Sequence, residues 1–484
     1  MSASESAFDI IVVGAGPAGY SAAIRLAQRG WSVACIEREA VGGVCLNWGC
    51  IPSKALITTA QRLSWAREGA ELGVLADNVR LDLPRAQRRH RSVVQHHTGG
   101  VASLLKSNGA RLLYGSARLL SPRRVALQLP DGGTRELEAR RAIVLASGAR
   151  PRSLPGFEPD GRHVLTAREA IFLEQLPEHL IVIGAGVIGV ELGGAYQRLG
   201  SRLSLIEIGP SLLPGVDADL VQVVQQRFER GGAQLYTSAR ALEWQPHGDG
   251  VRVRVQTPAG EQQLEGSRLL VAAGFVPNSA GLGLEELGIR SDAAGHVLSD
   301  ERCETSVPGV FAIGDLAGPP YLAHKAYKEA EVLGHVLAGE RVVRDWRAMP
   351  AVVFSDPEIA SVGLSEARAR EQGGEVVVGK FPFSALGRAQ AMAETQGFVK
   401  LIARDQRLVG AGVVGPEASE LIAELTLALE VGASLEDLAL TVHSHPTLAE
   451  AVHEAAEQGL GQSVHILNRK RRAAHAAPLA PATP

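Results

Sequence analysis

The sequence predicts an α/β protein built on two dinucleotide-binding folds, and three observations predict it. A G-x-G-x-x-G turn stands between an apolar strand and a helix at Gly14, Gly16 and Gly19. The same arrangement recurs about 170 residues later at Gly184, Gly186 and Gly189. In both copies a second strand ends in an acid 18 residues past the last glycine, Glu37 in the first and Glu207 in the second. A glycine turn alone is a weak sign, whereas strand, turn, helix, strand and acid together describe one supersecondary unit.

The remaining bounds are broad. At 484 residues the chain exceeds what one hydrophobic core supports and implies roughly three or four domains. Apolar residues make up 45% and charged residues 21%, with a net charge of −3, so electrostatics points to neither nucleic acid nor an anionic membrane. The opening MSASESAFDI has no basic flank or apolar run of a signal peptide, and no stretch is apolar for long enough to span a bilayer. The expectation is a cytoplasmic protein without a membrane partner.

In chain order, the first element is the apolar run Ile10 to Val13, a buried strand, followed by the glycine turn and a helix from Tyr20 to Arg29. Gly14 permits the turn, Gly16 admits a pyrophosphate to the backbone, and Gly19 lets helix and strand pack closely. Free N–H groups at the helix start favour the phosphate charge. Glu37, closing WSVACIE, is placed to accept hydrogen bonds from ribose hydroxyls.

The next element is GGVCLNWGCIPSK, which puts Cys45 and Cys50 five positions apart in a chain with four cysteines. A reducing compartment makes such a pair catalytic or metal-binding rather than structural. Zinc is one reading, with His443 and His445 as further ligands. The other is a redox disulfide, since a bridge across so few residues removes little chain entropy and is easily reduced. Gly42 and Gly43 suggest a helix start that favours thiolate. Cys35 and Cys303 stand alone and read as inert buried residues. The run PRAQRRHRSVVQHHTGG has the spacing of an exposed helix rather than of a polyanion site.

The second glycine unit implies a second dinucleotide, and the acid at Glu207 suits the free 2′-hydroxyl of NAD better than a 2′-phosphate. Arg202 precedes its strand and is no obvious phosphate partner. RRAIVLASGARP and GVFAIGDLAG read as strands ending in small-residue turns, the latter with Asp315 at its carboxyl end. Near the C-terminus, TVHSHPTLAEAVHEAAEQG holds His445 in a loop before Pro446. Thr447 and Glu450 have capping-box spacing. Glu450 either caps that helix or orients the His445 ring, and the residues alone leave both open.

GGVCLNWGCIPSKAL resembles the redox-disulfide motif of the flavoprotein disulfide reductases, most closely their dihydrolipoamide-oxidising branch. The similarity runs from Phe8 to Leu467 and includes GAGVIGVELG, YLAHKAYKEA, VVFSDPEIASVGLSE, KFPFSALGRA and HSHPTLAE, in the family's order. Glutathione reductase-like members would show an arginine-bearing NADP site rather than Glu207. Mercuric reductase-like members carry a further C-terminal cysteine pair, and here no cysteine follows Cys303. The sequence departs from the pattern at Phe275, where many relatives carry Arg, at Ala449 in place of a serine, and at Trp48 between the cysteines.

The resemblance completes the expected fold class: two Rossmann-like dinucleotide-binding domains, for FAD and NAD, plus a C-terminal α+β dimerisation domain. It implies an FAD-binding segment at 1–149, an NAD-binding segment at 150–274 and a central segment at 275–350 that completes the FAD domain. A dimerisation domain follows at 351–467, then a disordered basic and Ala/Pro-rich tail at 468–484. It also implies the chemistry. Cys45 exchanges with a dithiol substrate, Cys50 is the sulfur next to the flavin, His445 is the base held by Glu450, and Lys54 pairs with Glu191 beside the flavin. The FAD residues it implies are Gly14, Gly16, Pro17, Ala18, Gly19, Glu37, Arg38, Gly43, Val44, Cys45, Lys54, Gly115, Ser147, Gly148, Asp315, Leu322, Ala323 and His324. For NAD they are Gly184, Gly186, Val187, Ile188, Gly189, Glu191, Glu207 and Gly274. Implied partners are a second copy sharing its active sites, and a lipoyl-bearing acyltransferase or glycine cleavage carrier protein. The alternatives are an NAD(P)H-dependent reductase of another disulfide or electrophile, and a non-catalytic flavoprotein subunit.

Overall fold

A computed structural model describes residues 6–468 of the chain. Two compact units emerge, one of Met1–Pro214 with Phe228–Asp345 and one of Gly215–Arg227 with Trp346–Pro484.

The first unit holds both nucleotide folds. Strand Ala7–Val13 contains Ile10, Ile11 and Val12, all fully buried, as a strand covered on both faces requires. It pairs in parallel with Val33–Glu37 on one side and Thr134–Leu145 on the other. Arg111–Tyr114 extends the sheet beyond Val33–Glu37, and Arg124–Gln128 and Ser116–Ser121 extend the other side as antiparallel strands. Strand Val310–Ala312 comes back from far down the chain to lie parallel on Thr134–Leu145, with Val310 opposite Ile143 and Ala312 opposite Leu145. The central segment therefore finishes the first sheet.

The second sheet is wholly parallel in the order Gln234–Tyr236, Arg202–Ile206, His179–Ile183, Arg268–Val271, Val164–Leu165. In each sheet the strand before the glycine turn is flanked by the next strand on one side and a later strand on the other. That reversal opens a crevice at the strands' carboxyl ends, where open α/β sheets bind ligands. A three-stranded antiparallel meander, Arg240–His247, Gly250–Thr257 and Gly260–Gly266, adjoins it. A two-stranded ribbon pairs Ala149–Pro151 with Phe275–Pro277.

The first helix runs from Pro17 to Gln28, three residues earlier than Tyr20, because Pro is well suited to a helix's first position. The arginine-rich segment lies in helix Leu83–Ser107, whose start is capped by Asp82 accepting the Arg85 N–H at 3.0 Å. It is not exposed throughout: Gln87 and His90 are buried, and His90 Nε2 lies 2.9 Å from Thr59 Oγ1.

The second unit is a five-stranded antiparallel sheet in the order Ala351–Val353, Glu358–Gly363, Arg407–Gly415, Phe398–Arg404, Val376–Pro382. Helices Ala418–Glu430 and Glu450–Leu460 cover it around a core including Phe381, Phe383, Leu401, Leu425 and Val452. Lys400 is buried there, with its ammonium 2.7 Å from Asp219 and 2.5 Å from Asp217. Asn468, counted above with the tail, exchanges hydrogen bonds with Ser463 at 2.8 and 3.0 Å. Residues 469–484 lie outside the described residues. Among the described residues no helix is long and apolar enough to cross a membrane.

Candidate functional site

Both glycine turns are built alike. Gly14 and Gly184 take φ values of +104° and +98°, which a side chain resists, and a Cβ on either would strike the carbonyl of Ala146 or Ala272. A Cβ on Gly19 or Gly189 would strike the carbonyl of Gly14 or Gly184. Pro17 and Ala18 fill the first turn of Pro17–Gln28, and Val187 and Ile188 that of helix Val187–Leu199. Gly16 and Gly186 precede those helices in extended conformation.

Both strand-end acids are engaged by backbone N–H groups. Glu37 accepts the N–H of Ala15 on one oxygen at 2.8 Å and that of Glu39 on the other at 2.8 Å. Glu207 repeats the pattern with Ala185 at 2.8 Å and Gly209 at 2.7 Å. Each carboxylate thus ties its glycine turn to the next strand end. Arg38 follows Glu37, and the Gly115 N–H donates to the Glu37 carbonyl at 2.9 Å.

The cysteine pair is seated against the first turn. Gly42, at φ +94°, starts the short helix Gly43–Asn47, which carries Val44 and Cys45, and Cys50 begins helix Cys50–Glu68. A Cβ on Gly43 would lie 2.7 Å from Gly16 Cα, so the redox segment and the glycine turn touch backbone to backbone. Both sulfurs are free thiols in this structure. Cys45 donates its S–H toward Cys50, which with burial pushes Cys45 up. The same hydrogen bond holds Cys50 below the ordinary thiol range, against burial and with help from the Lys54 charge. The proton is therefore held more tightly on Cys45 than on Cys50. Lys54 Nζ lies 2.8 Å from Glu191 Oε2, across the packed helices Cys50–Glu68 and Val187–Leu199, and the Glu191 side chain is 5% exposed. These are a paired acid and base, not two stray surface charges.

The other residues expected to hold FAD are placed by local contacts of their own. Ser147 Oγ donates to the Asn278 carbonyl at 2.8 Å, and Asn278 Nδ2 donates back to the Ser147 carbonyl at 2.9 Å. Gly148, at φ +69°, follows. A Cβ on Gly314 would meet Ala18 Cβ at 2.8 Å, bringing the Gly314–Ala317 turn onto the first helix. Burial pushes the adjacent Asp315 carboxyl up to about 6, with Lys325 opposing it. Lys325 donates to the carbonyls of Gly314 and Gly318 at 3.2 and 2.6 Å, and Glu329 accepts the Gly314 N–H at 2.6 Å. Leu322 precedes helix Ala323–Leu337, which Ala323 and His324 begin. Gly274, at φ +95°, lies at the carboxyl end of strand Arg268–Val271.

In the second unit Glu450 orients the histidine ring and does not cap the helix. Its Oε1 accepts from His445 Nδ1 at 2.7 Å, and its Oε2 accepts the Thr447 N–H at 2.8 Å. Burial raises Glu450, but these bonds outweigh it and hold the carboxyl low. The helix itself begins at Glu450, with Ala449 rather than Thr447 before it, since the Thr447 hydroxyl donates to the Ser444 carbonyl at 2.8 Å. The His445 side chain is 79% exposed, leaving Nε2 outward. His443 is engaged at both nitrogens, by Glu424 at 2.8 Å and the Thr441 carbonyl at 3.0 Å, which leaves it unsuited to zinc.

One pair was invisible to sequence reasoning. The phenols of Tyr20 and Tyr327 lie 2.7 Å apart, and both feel the charge of Cys45 and Cys50. Separated by 307 positions, they share no local pattern that could have joined them.

Comparisons with known proteins follow the same lines. Residues 8–330 match the family described as pyridine nucleotide-disulphide oxidoreductase, and 349–456 match its dimerisation domain. The chain is 42% identical over 463 residues to a dihydrolipoyl dehydrogenase of Geobacillus stearothermophilus, covering 95% of this chain and 98% of that one. It is 44% identical to that of Thermus scotoductus, covering 96% and 99%. Among solved structures, LpdA of Mycobacterium tuberculosis superposes with a TM-score of 0.86 at 32% identity, covering 93% and 99%. The HOCl-induced flavoprotein disulfide reductase RclA of Escherichia coli gives 0.83 at 26%, again covering 93% and 99%.

Proposed function

The chain belongs to the pyridine nucleotide-disulphide oxidoreductase family, and on that premise we propose that it oxidises protein-bound dihydrolipoamide to lipoamide while reducing NAD⁺ to NADH. The observation that carries this reading is the thiol pair, Cys45 with Cys50, set beside the Lys54–Glu191 ion pair, whose lysine charge lowers Cys50.

The residues fit FAD and NAD. Two glycine-rich turns offer N–H groups to pyrophosphates, and each has its acid at the next strand end. Asp315, a carboxyl that burial and the Glu329 charge push up, suits a site that a polar ligand completes. The Gly14–Gly19 turn, Glu37, Ser147 and Asp315 would hold FAD, and the Gly184–Gly189 turn, Glu207 and Gly274 would hold NAD. Bound FAD supplies the coupling between the two-electron chemistry of the sulfurs and hydride transfer to nicotinamide.

The chain's own groups do the rest. With Cys45 and Cys50 joined, His445 Nε2 takes a proton from the incoming dithiol, since only a thiolate attacks a disulfide sulfur. Glu450 holds the ring by Nδ1, fixing Nε2 as the base. The thiolate attacks Cys45 and expels Cys50 as the anion that its surroundings favour. The second substrate sulfur then displaces Cys45, lipoamide leaves as the cyclic disulfide, and the protein retains a dithiol. Net turnover converts dihydrolipoamide and NAD⁺ to lipoamide, NADH and one proton.

The exposed ring of His445 supports a homodimer in which the histidine of one copy serves the cysteines of the other, with 351–467 as the pairing domain. Segments 1–149 and 275–350 form the FAD domain and 150–274 the NAD domain. The physiological partner is a lipoyl-bearing acyltransferase or glycine cleavage carrier in the cytoplasm. The test is NADH formation from dihydrolipoamide, with NADP⁺ as control. The expected result is turnover with NAD⁺ at least tenfold above that with NADP⁺. NADH oxidation by other disulfides without dihydrolipoamide turnover would replace this reading with a different reductase.

A further inference from the structure

Trp48 and Phe275, two positions that stand out separately in the sequence, meet in the first unit. Their rings are nearly parallel, 11° apart in plane, with centroids 6.5 Å apart. Both are only half-buried, so filling the core does not account for them. The Arg168 guanidinium lies 5.9 Å over the Trp48 ring and is itself paired with Glu39.

What each ring is attached to gives the contact its meaning. Trp48 ends helix Gly43–Asn47, its N–H donating to the Val44 carbonyl at 3.0 Å, and it stands inside the loop that Cys45 and Cys50 bound. Closing those sulfurs into a bridge demands a specific separation of the two residues, and the backbone between them must accommodate it. Phe275 is fixed differently: it opens strand Phe275–Pro277 opposite Pro151. It also directly follows Gly274, whose carbonyl accepts the Arg152 N–H at 2.9 Å. Gly274 is the turn at the carboxyl end of a parallel strand, where a dinucleotide's reactive end is received.

We propose that the Trp48–Phe275 stack registers the Gly274 turn against the redox loop, making both residues positioning residues for nicotinamide. This rests on the reading of the second glycine fold as the NAD site. An arginine at 275 would lose this ring-on-ring stack, so the two rings act as a pair.

The test uses the holoenzyme with Trp48→Ala, Phe275→Ala, the double variant, and Trp48→Phe, which keeps a ring. NAD⁺ affinity is measured by calorimetry, and flavin reduction by NADH and by dithiothreitol by stopped flow. From the usual strength of aromatic pairs, each alanine variant should weaken NAD⁺ binding and slow the NADH step about three- to tenfold. The double variant should lose no more than the worse single one, because the rings share one interaction. Trp48→Phe should restore most of the loss, and the dithiothreitol step should not change. Additive losses, unchanged NAD⁺ binding, or equal slowing of both steps with flavin release would each overturn the proposal. Should Trp48→Ala not fold, Phe275→Leu removes the ring while keeping apolar volume and is read by the same criteria. No arm uses dihydrolipoamide, so a failure to oxidise that substrate sinks the functional reading without deciding this one.

Discussion

Individual side chains at this site are set by their neighbours' charge and hydrogen bonds. Cys50 is lowered first by the Cys45 hydrogen bond and then by Lys54, while burial pushes Cys35 and Cys303 up, the latter to about 12. On titration of the reduced protein, thiolate absorbance near 240 nm should therefore show one early ionisation. Cys50→Ser should abolish it and Lys54→Met should move it to higher pH; an unmoved curve in Lys54→Met would remove the lysine from this role. Loss of the base has a larger cost: His445→Gln should lower turnover about 10²- to 10³-fold, and Glu450→Gln should lower it less because the ring keeps a partner. Asp315 makes a prediction of opposite sign to ordinary carboxylates. Its folded value near 6 exceeds the usual 3.8, so the folded chain binds the proton more tightly than the unfolded one. Its contribution thus weakens as pH rises from about 4 to about 6, a loss of about 3 kcal/mol. In flavin-free protein, urea unfolding of wild type relative to Asp315→Asn should lose ground over that range and level off above it.

Among elements, the strand–turn–helix units were legible because their requirements are local. A glycine that must cross another backbone announces itself in one sequence, as Gly14, Gly19, Gly184 and Gly189 do. Boundaries were less legible. Pro17 draws the first helix three residues forward, and the His445 helix waits until Glu450 because the Thr447 hydroxyl is bonded elsewhere. Glu37 and Glu207 were legible as strand-end acids, but their grip on Ala15 and Ala185 was not, since it depends on how strand ends meet in space. That grip yields a prediction. Glu207→Gln exchanges a charged acceptor for a weaker neutral one at the Ala185 N–H, and should weaken NAD⁺ binding about tenfold. An unaffected NAD⁺ isotherm would leave Glu207 without either role.

Across the whole molecule, the order of motifs conveyed two nucleotide folds, a thiol pair and a distant histidine–glutamate pair. Contacts between remote parts escaped: the Tyr20–Tyr327 phenols, the Trp48–Phe275 stack, and Lys400 between Asp217 and Asp219. No periodicity links positions so far apart. Sharing of sites between copies is a molecular property and has a molecular test. Mixing Cys50→Ser with His445→Ala chains should produce hybrids with one working site, roughly half the activity of a wild-type dimer, because one pairing reunites intact cysteines with an intact histidine. Hybrids confirmed by mass but inactive would exclude a shared site.

The late strand Val310–Ala312, laid against Thr134–Leu145, has a consequence for biosynthesis. The inner nucleotide fold is complete well before that strand is translated, whereas the outer one lacks a member of its sheet until then. A ribosome-bound chain halted near residue 300 should accordingly resist protease across residues 150–274 while remaining cleavable in its first 149. The emerging polypeptide would mature from its middle outward.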